Sequence, residues 1–167
     1  MANDVLKTGF SHNWRNGIEI DTAGNLDPAQ ATDATFVTLA AFMTGITPTP
    51  GDVVENANYW ADKDNSHSDV TGHARTWAIT GNVLQGDPAC DFIQGLEDKE
   101  ATGDDVKTLA RFTKANGVVK VYQVTVQNIV TIGGNGNAKS TLTFTLAANG
   151  MPVTSTVDET DAAPAGK

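Results

Sequence analysis

The side chains with most chemical potential are gathered in one run, ADKDNSHSDVTGHA, Ala61 to Ala74, which holds Asp62, Asp64, Asp69, two serines and two of the three histidines. Oxygen and nitrogen ligands at alternating positions are what a calcium or zinc loop requires. Aligned as an EF-hand loop from Asp62, the first, third and fifth ligand positions are Asp62, Asp64 and Ser66, which fits. The remainder does not: His67 stands where the sharp turn needs Gly, Val70 occupies a ligand position, and His73 replaces the bidentate Glu that closes the cage. No helical pattern flanks the run. Zinc needs three or four converging ligands, and His67 and His73 are the only close pair, with Cys90 on a separate predicted helix. The run therefore reads as a solvated polar loop, with no metal expected.

The run GGNGNAKST, Gly133 to Thr141, approaches the phosphate-binding pattern G-x-x-x-x-G-K-[ST], with Lys139 and Ser140 in register but Ala138 in place of the second glycine. That pattern must open a helix whose N-terminus holds the phosphate, whereas STLTFTLA alternates as a strand. A hairpin loop is expected instead. There is no G-x-S-x-G turn for a nucleophile. The acidic pairs Glu97–Asp98 and Asp104–Asp105 lie in a turn-rich segment suited to solvation. No catalytic residue and no cofactor is expected. Tyr59 and Trp60 are adjacent aromatics that could form a sugar-binding platform, so a β-sandwich carbohydrate-binding module is the alternative reading. The plainer account has one of them anchoring the loop to the core and the other packing at an interface. A metal-dependent hydrolase using His67, His73 and nearby aspartates is a third.

The elements that must position these residues follow from composition and periodicity. With 167 residues, 40% of them hydrophobic, the chain can build one domain around one core. Eleven Lys and Arg against twenty Asp and Glu give a net charge of −9, which opposes binding to phosphate backbones. One cysteine, Cys90, precludes an internal disulfide. No segment approaches the roughly 18 apolar residues of a membrane span, and MANDVLKTGF has no signal-like pattern, so synthesis in the cytosol is expected.

Period-two alternation predicts strands. In Val118 to Ile132, Val118, Tyr122, Val124, Val126, Val130 and Ile132 share one face, and Gln123, Thr125, Gln127 and Thr131 the other. In Lys139 to Ala147, Leu142, Phe144 and Leu146 oppose Thr141, Thr143 and Thr145. Val106 to Thr113 precedes the Asn-Gly turn of KANG and completes a three-strand meander. Further strands are expected at Trp14 to Ile20, Phe36 to Phe42 and Arg75 to Val83. One short helix is expected in GDPACDFIQGLEDK, with Asp87 as N-cap, Pro88 at the first helical position, and an apolar stripe of Ala89, Phe92, Ile93 and Leu96. The tail TSTVDETDAAPAGK has little to bury and reads as a loose arm.

Taken in order, the loop, the strand RTWAITGNV, the GDPA helix start, the RFT strand, the Asn-Gly hairpin, the long strand VVKVYQVTVQNIV, the Gly/Asn turn, the strand STLTFTLA and the NGMP ending form a recognisable series. From Tyr59 to Val153 the chain resembles the major tail proteins, or tail tube proteins, of long non-contractile-tailed bacteriophages of Gram-positive hosts. The resemblance implies a mainly β tail-tube domain with one helix, a β-sandwich or barrel spanning residues 1–152. An N-terminal arm covers about 1–12, a long loop about 47–71, and a flexible C-terminal arm 153–167. It implies a structural virion protein that assembles with itself into stacked hexameric rings, with DNA passing through the lumen without specific binding. Tape measure, tail terminator and distal tail proteins are the implied partners. The inter-ring loop would carry Asp62, Asp64, His67 and Asp69. The lumen-facing set would be Gln123, Thr125, Gln127, Thr141, Thr143 and Thr145. Six copies would carry six times −9, a formal −54, and an acidic conduit would not grip sliding phosphates.

Overall fold

Nine strands and one α-helix, α1 Pro88–Asp98, form among the residues described, 9–156, in a computed structural model. The strands are β1 Gly17–Asp21, β2 Phe36–Thr38, β3 Met43–Thr49, β4 Asp52–Ala57, β5 His67–His73, β6 Thr76–Asn82, β7 Lys107–Thr113, β8 Val118–Val130 and β9 Thr141–Thr156. Seven form one antiparallel sheet in the order β2-β1-β7-β8-β9-β6-β3, and β4 and β5 form a separate hairpin. The mainly β fold with one helix is as expected.

The sheet is strongly curled. Trp77 on β6 stacks on Phe112 of β7 with ring centroids 4.4 Å apart, although β9 and β8 lie between those strands. Three strand spacings would separate them by about 14 Å in a flat sheet. The two edge strands, β2 and β3, are joined by Leu39 to Phe42 alone, a link that spans at most about 18 Å. Curling brings one face inward, and there Ile18, Ile20, Ile79, Val124, Val126, Leu142, Phe144 and Leu146 bury against Ala89, Cys90, Ile93 and Leu96 of α1. Each such aliphatic or aromatic side chain contributes about 1.5–3 kcal/mol on burial. The Cys90 thiol sits inside this core, and desolvation raises its pKa above the ordinary value.

Helix α1 begins as its sequence requires. Asp87 Oδ1 accepts from the backbone N–H groups of Ala89 at 3.1 Å and Cys90 at 2.9 Å, satisfying two donors that the helix leaves without partners. Replacing Asp87 with Ala is expected to cost about 1 kcal/mol of stability, read as a lower urea midpoint at unchanged m-value.

Several expectations are corrected. The predicted strand over Phe36 to Phe42 ends at Thr38, because Phe42 and Met43 both donate to Leu39 O and turn the chain. Trp14 lies in a short 3-10 turn ahead of β1. Val130 and Ile132 are exposed rather than buried, at 46% and 85%. The cause is Asn128, whose φ of 55° makes a bulge: Gln127 pairs Thr145 but Val130 pairs Thr143, so β8 advances three residues for two and its alternation reverses. The first half of β8 is covered on both sides, since Val119 and Val121 are buried together with Leu109 of β7. The segment between β1 and β2 supplies that cover. Asp21, fully buried, ties it down by accepting from the backbone of Ala23, Asn25 and Thr35 and from Asn25 Nδ2. Gln123 Nε2 donates to Leu26 O at 2.8 Å across the same cover.

At the far end, Val153–Thr156 are not a loose arm but the last residues of β9, paired with Val118–Val121. Residues 1–8 of the expected N-terminal arm and 157–167 of the C-terminal arm lie outside the described residues.

Candidate assembly surfaces

The run that opened the search for chemistry is mostly the tip and second strand of a hairpin. The expected loop over 47–71 is instead the end of β3, then β4, a connection and most of β5. Its polar residues pair as strands because an antiparallel two-stranded ladder needs backbone hydrogen bonds and not an apolar face. Gly51 makes the root possible. Its φ is 59°, and a Cβ there would meet Ala74 O at 2.1 Å, while Ala74 N–H donates to Gly51 O at 2.7 Å. Every residue of β4 and β5 is exposed except Ala57 and Gly72, which are half-buried. The two strands pack on each other and on no other element to any extent.

The histidines do not converge. His67 Nε2 lies 2.8 Å from Asp62 Oδ2 near the tip, and His73 Nδ1 lies 2.7 Å from Asp52 Oδ1 at the root. Six residues of strand put those pairs about 20 Å apart. Asp64 sits in the connection, and Asp69 faces Glu55 across the ladder, a like-charged pair that disfavours the isolated hairpin. Among the described residues no group of three or more His, Cys, Asp or Glu comes together as metal ligands would. Neither aromatic of the tip anchors it to the core, contrary to the plainer expectation. Trp60 is fully exposed, and Tyr59 makes only an edge contact with His67 at 5.6 Å.

The second surface is the outside of the curl. Cross-strand partners point to the same side, so the register places Gln123, Thr125, Gln127, Thr141, Thr143 and Thr145 on one face, away from α1. Thr80 and Ala78 of β6 and Thr47 of β3 continue it, and the β8 bulge adds Val130. Two of the six are engaged locally, Gln123 with Leu26 O and Thr125 Oγ1 with Asn149 Nδ2 at 2.8 Å. Over β3, β6, β9 and the second half of β8 this face carries no charged residue. This part of the face is neutral and rich in hydroxyl and amide groups. Acidic residues stand close by, since Glu97 and Glu100 at the end of α1 share a surface hollow with Thr125 and Gln127.

A third feature was not legible in the sequence. Trp77, Phe112 and Tyr122 form an aromatic cluster, with Trp77–Tyr122 at 5.0 Å and Phe112–Tyr122 at 5.8 Å. It floors a groove of about 650 Å³ at the end of the curl from which the hairpin springs. The three aromatics are 35 and 10 residues apart in sequence, and only the curl unites them.

No protein-family profile matches the chain, and no curated protein matches it. Solved structures do. A chain from the tail of an empty gene transfer agent particle, refined helically with C6 symmetry, superposes with a TM-score of 0.59 at 12% identity, over 89% of this chain and 100% of the other. A chain from the virion of a native gene transfer agent particle gives 0.62 at 8% identity, over 87% and 99%. One from the six-fold symmetrised baseplate of an anti-feeding prophage gives 0.51 at 10%, over 89% and 96%. At these identities the likeness establishes a shared fold.

Proposed function

We propose that this chain is a structural protein of a phage-like tail, assembling with itself into six-membered rings that stack as a tail tube through which DNA passes. The observation that carries the reading is the fold likeness over nearly the whole of both chains to a chain from the C6-symmetric tail of a gene transfer agent particle and to a chain from a gene transfer agent virion. The hairpin supports it: a ladder that buries almost nothing in its own subunit and carries Asp62, Asp64, His67 and Asp69 suits a joint between rings. The neutral Thr/Gln face suits a channel wall. Uncharged hydroxyl and amide groups offer phosphates neither counterion-releasing cations nor strong repulsion, so a polyanion slides past without being held. In this reading the particle is a siphophage tail, the chain is made in the host cytoplasm, and its other partners are the tape measure, tail terminator and distal tail proteins.

Negative-stain microscopy of the concentrated protein tests the proposal: annular rings or hollow tubes are expected, and a monomer at every concentration sinks it. The channel wall is tested separately. In tubes of Thr143→Cys, a bulky maleimide is expected to label at least about tenfold more slowly than in the disassembled subunit, since a sealed lumen restricts access. Equal rates would place this face on the tube exterior.

A further inference from the structure

The strands run between two unlike ends. At one end the register brings together the start of β1, the end of β7 and the start of β8, and the curl sets the start of β6 and the hairpin root beside them in the lining of the groove. This end carries Arg15, Arg75, Lys114 and Lys120, and the aromatic groove opens there with Arg75, Lys114 and Lys120 on its rim. No carboxylate lines the groove, and none of these cations pairs with an acid among the described residues. Trp14 stands at its edge, 80% exposed.

The opposite end is the reverse in charge. Helix α1 and the turn after it place Asp91, Glu97, Asp98, Glu100, Asp104 and Asp105 there against Lys99 and Lys107. Asp104 is held below the ordinary carboxylate pKa by its hydrogen bond to Lys107. Glu97 accepts from Thr131 Oγ1, which fixes the acidic helix end beside the end of β8. Val83 N–H donates to Ser140 O, and Ser140 Oγ to Thr131 O, so the β6 and β8 ends meet at this place. Its exposed apolar side chains are Leu84, Val130 and Ile132.

A cationic rim with no acidic partner among the described residues, set around an aromatic floor, calls for an anionic partner with an apolar tip, and the far end of the same chain has that chemistry. We infer that the groove receives the helix end of a second copy, stacked in the same polarity, with Ile132 and Leu84 meeting the aromatic floor and the α1 carboxylates meeting Arg75, Lys114 and Lys120. The contact joins two different surfaces, so it does not close on itself in a pair but propagates as an open stack. It rests on the tail-tube reading and deepens it by naming the surface that each ring offers the next. The hairpin rises from the groove end, so both devices address the same neighbour.

Charge reversal in trans tests this. Arg75→Glu with Lys114→Glu and Lys120→Glu leaves Arg15 against three carboxylates at the groove end, so that copy is acidic at both ends, and Asp98→Lys with Glu100→Lys and Asp105→Lys leaves three carboxylates against five lysines at the helix end, so that copy is basic at both. Each alone is expected to form tubes at least about tenfold shorter than wild type by negative stain, because like charges meet at every contact. An equal mixture is expected to recover tubes, since alternating copies restore opposite charges at each joint. Tubes of wild-type length from either variant alone, or no recovery on mixing, would overturn the inference while leaving the tail-tube reading intact. Failure of the wild type to form rings or tubes would instead remove both. If circular dichroism shows that a variant does not fold, the wild type decides: elongation several-fold slower between about 0.05 and 0.5 M salt is expected from screening, and an unchanged rate overturns the inference.

Discussion

Replacing Asp52–His73 with a two-residue Asn-Gly turn is expected to abolish tube formation while leaving the subunit folded. The residues removed are nearly all exposed, and Gly51 and Ala74 already stand at hydrogen-bonding distance, so a tight turn can close the gap without moving β3 or β6. An isolated two-stranded ladder is marginal in water, and here Glu55 opposes Asp69 across it. Its loss should therefore shift subunit stability by no more than about 1 kcal/mol. Its apolar load, Trp60 with Val53, Val54 and Val70, is spread over exposed positions where the subunit itself gains nothing from it. Burial against a neighbour is where that load becomes favourable, and a single desolvated Trp at a contact centre is commonly worth 2 kcal/mol or more. Equilibrium urea unfolding and negative-stain microscopy on the same preparation check both halves. Tubes of normal length from the shortened chain would remove the hairpin from the joint. A large fall in midpoint would show it to be part of the fold.

Phe144→Ala is expected to cost about 3–5 kcal/mol, the usual range for deleting a buried ring, against a total of about 5–15 kcal/mol for a domain of this kind. The side chain is 2% exposed and lies on β9 between β8 and β6, in the main core. Neither strand can close on the void without breaking ladder pairs such as Ile79↔Phe144, so little of the loss is recovered by collapse. The expected result is a much lower urea midpoint at unchanged m-value. A change below about 1 kcal/mol would mean that the inner face of the sheet is not where stability resides.

How much of this was legible depends on whether a feature is local. Asp87, Pro88 and the Ala89, Ile93, Leu96 stripe announce α1 because a cap and a 3.6-residue period are properties of neighbours in sequence. The turn at KANG is equally local, although only Gly117, with φ of 84°, takes the positive angle, and Asn116 does not. The six Thr and Gln residues proposed to line the channel do share a face, since β9 and β8 as far as Gln127 keep their alternation. Val130 and Ile132 were misplaced because a bulge at Asn128 is one backbone angle that side-chain alternation does not reveal. The hairpin was read as a loop for a related reason: strand prediction looks for a buried face, and β4 and β5 have none.

By itself the sequence determined the strand alternation, the helix and its cap, and the single core, all consequences of residue type and short-range spacing. Only the tertiary structure decided what lies at each end of the curl. Trp77, Phe112 and Tyr122 become a groove floor, and Arg75, Lys114 and Lys120 its rim, because β6, β7 and β8 are bent until residues distant in the chain share one opening. The charge asymmetry between the two ends follows likewise from antiparallel pairing. That pairing sets the start of one strand beside the end of the next and so gathers residues distant in the chain at each end, and the net charge of −9 carries no trace of it.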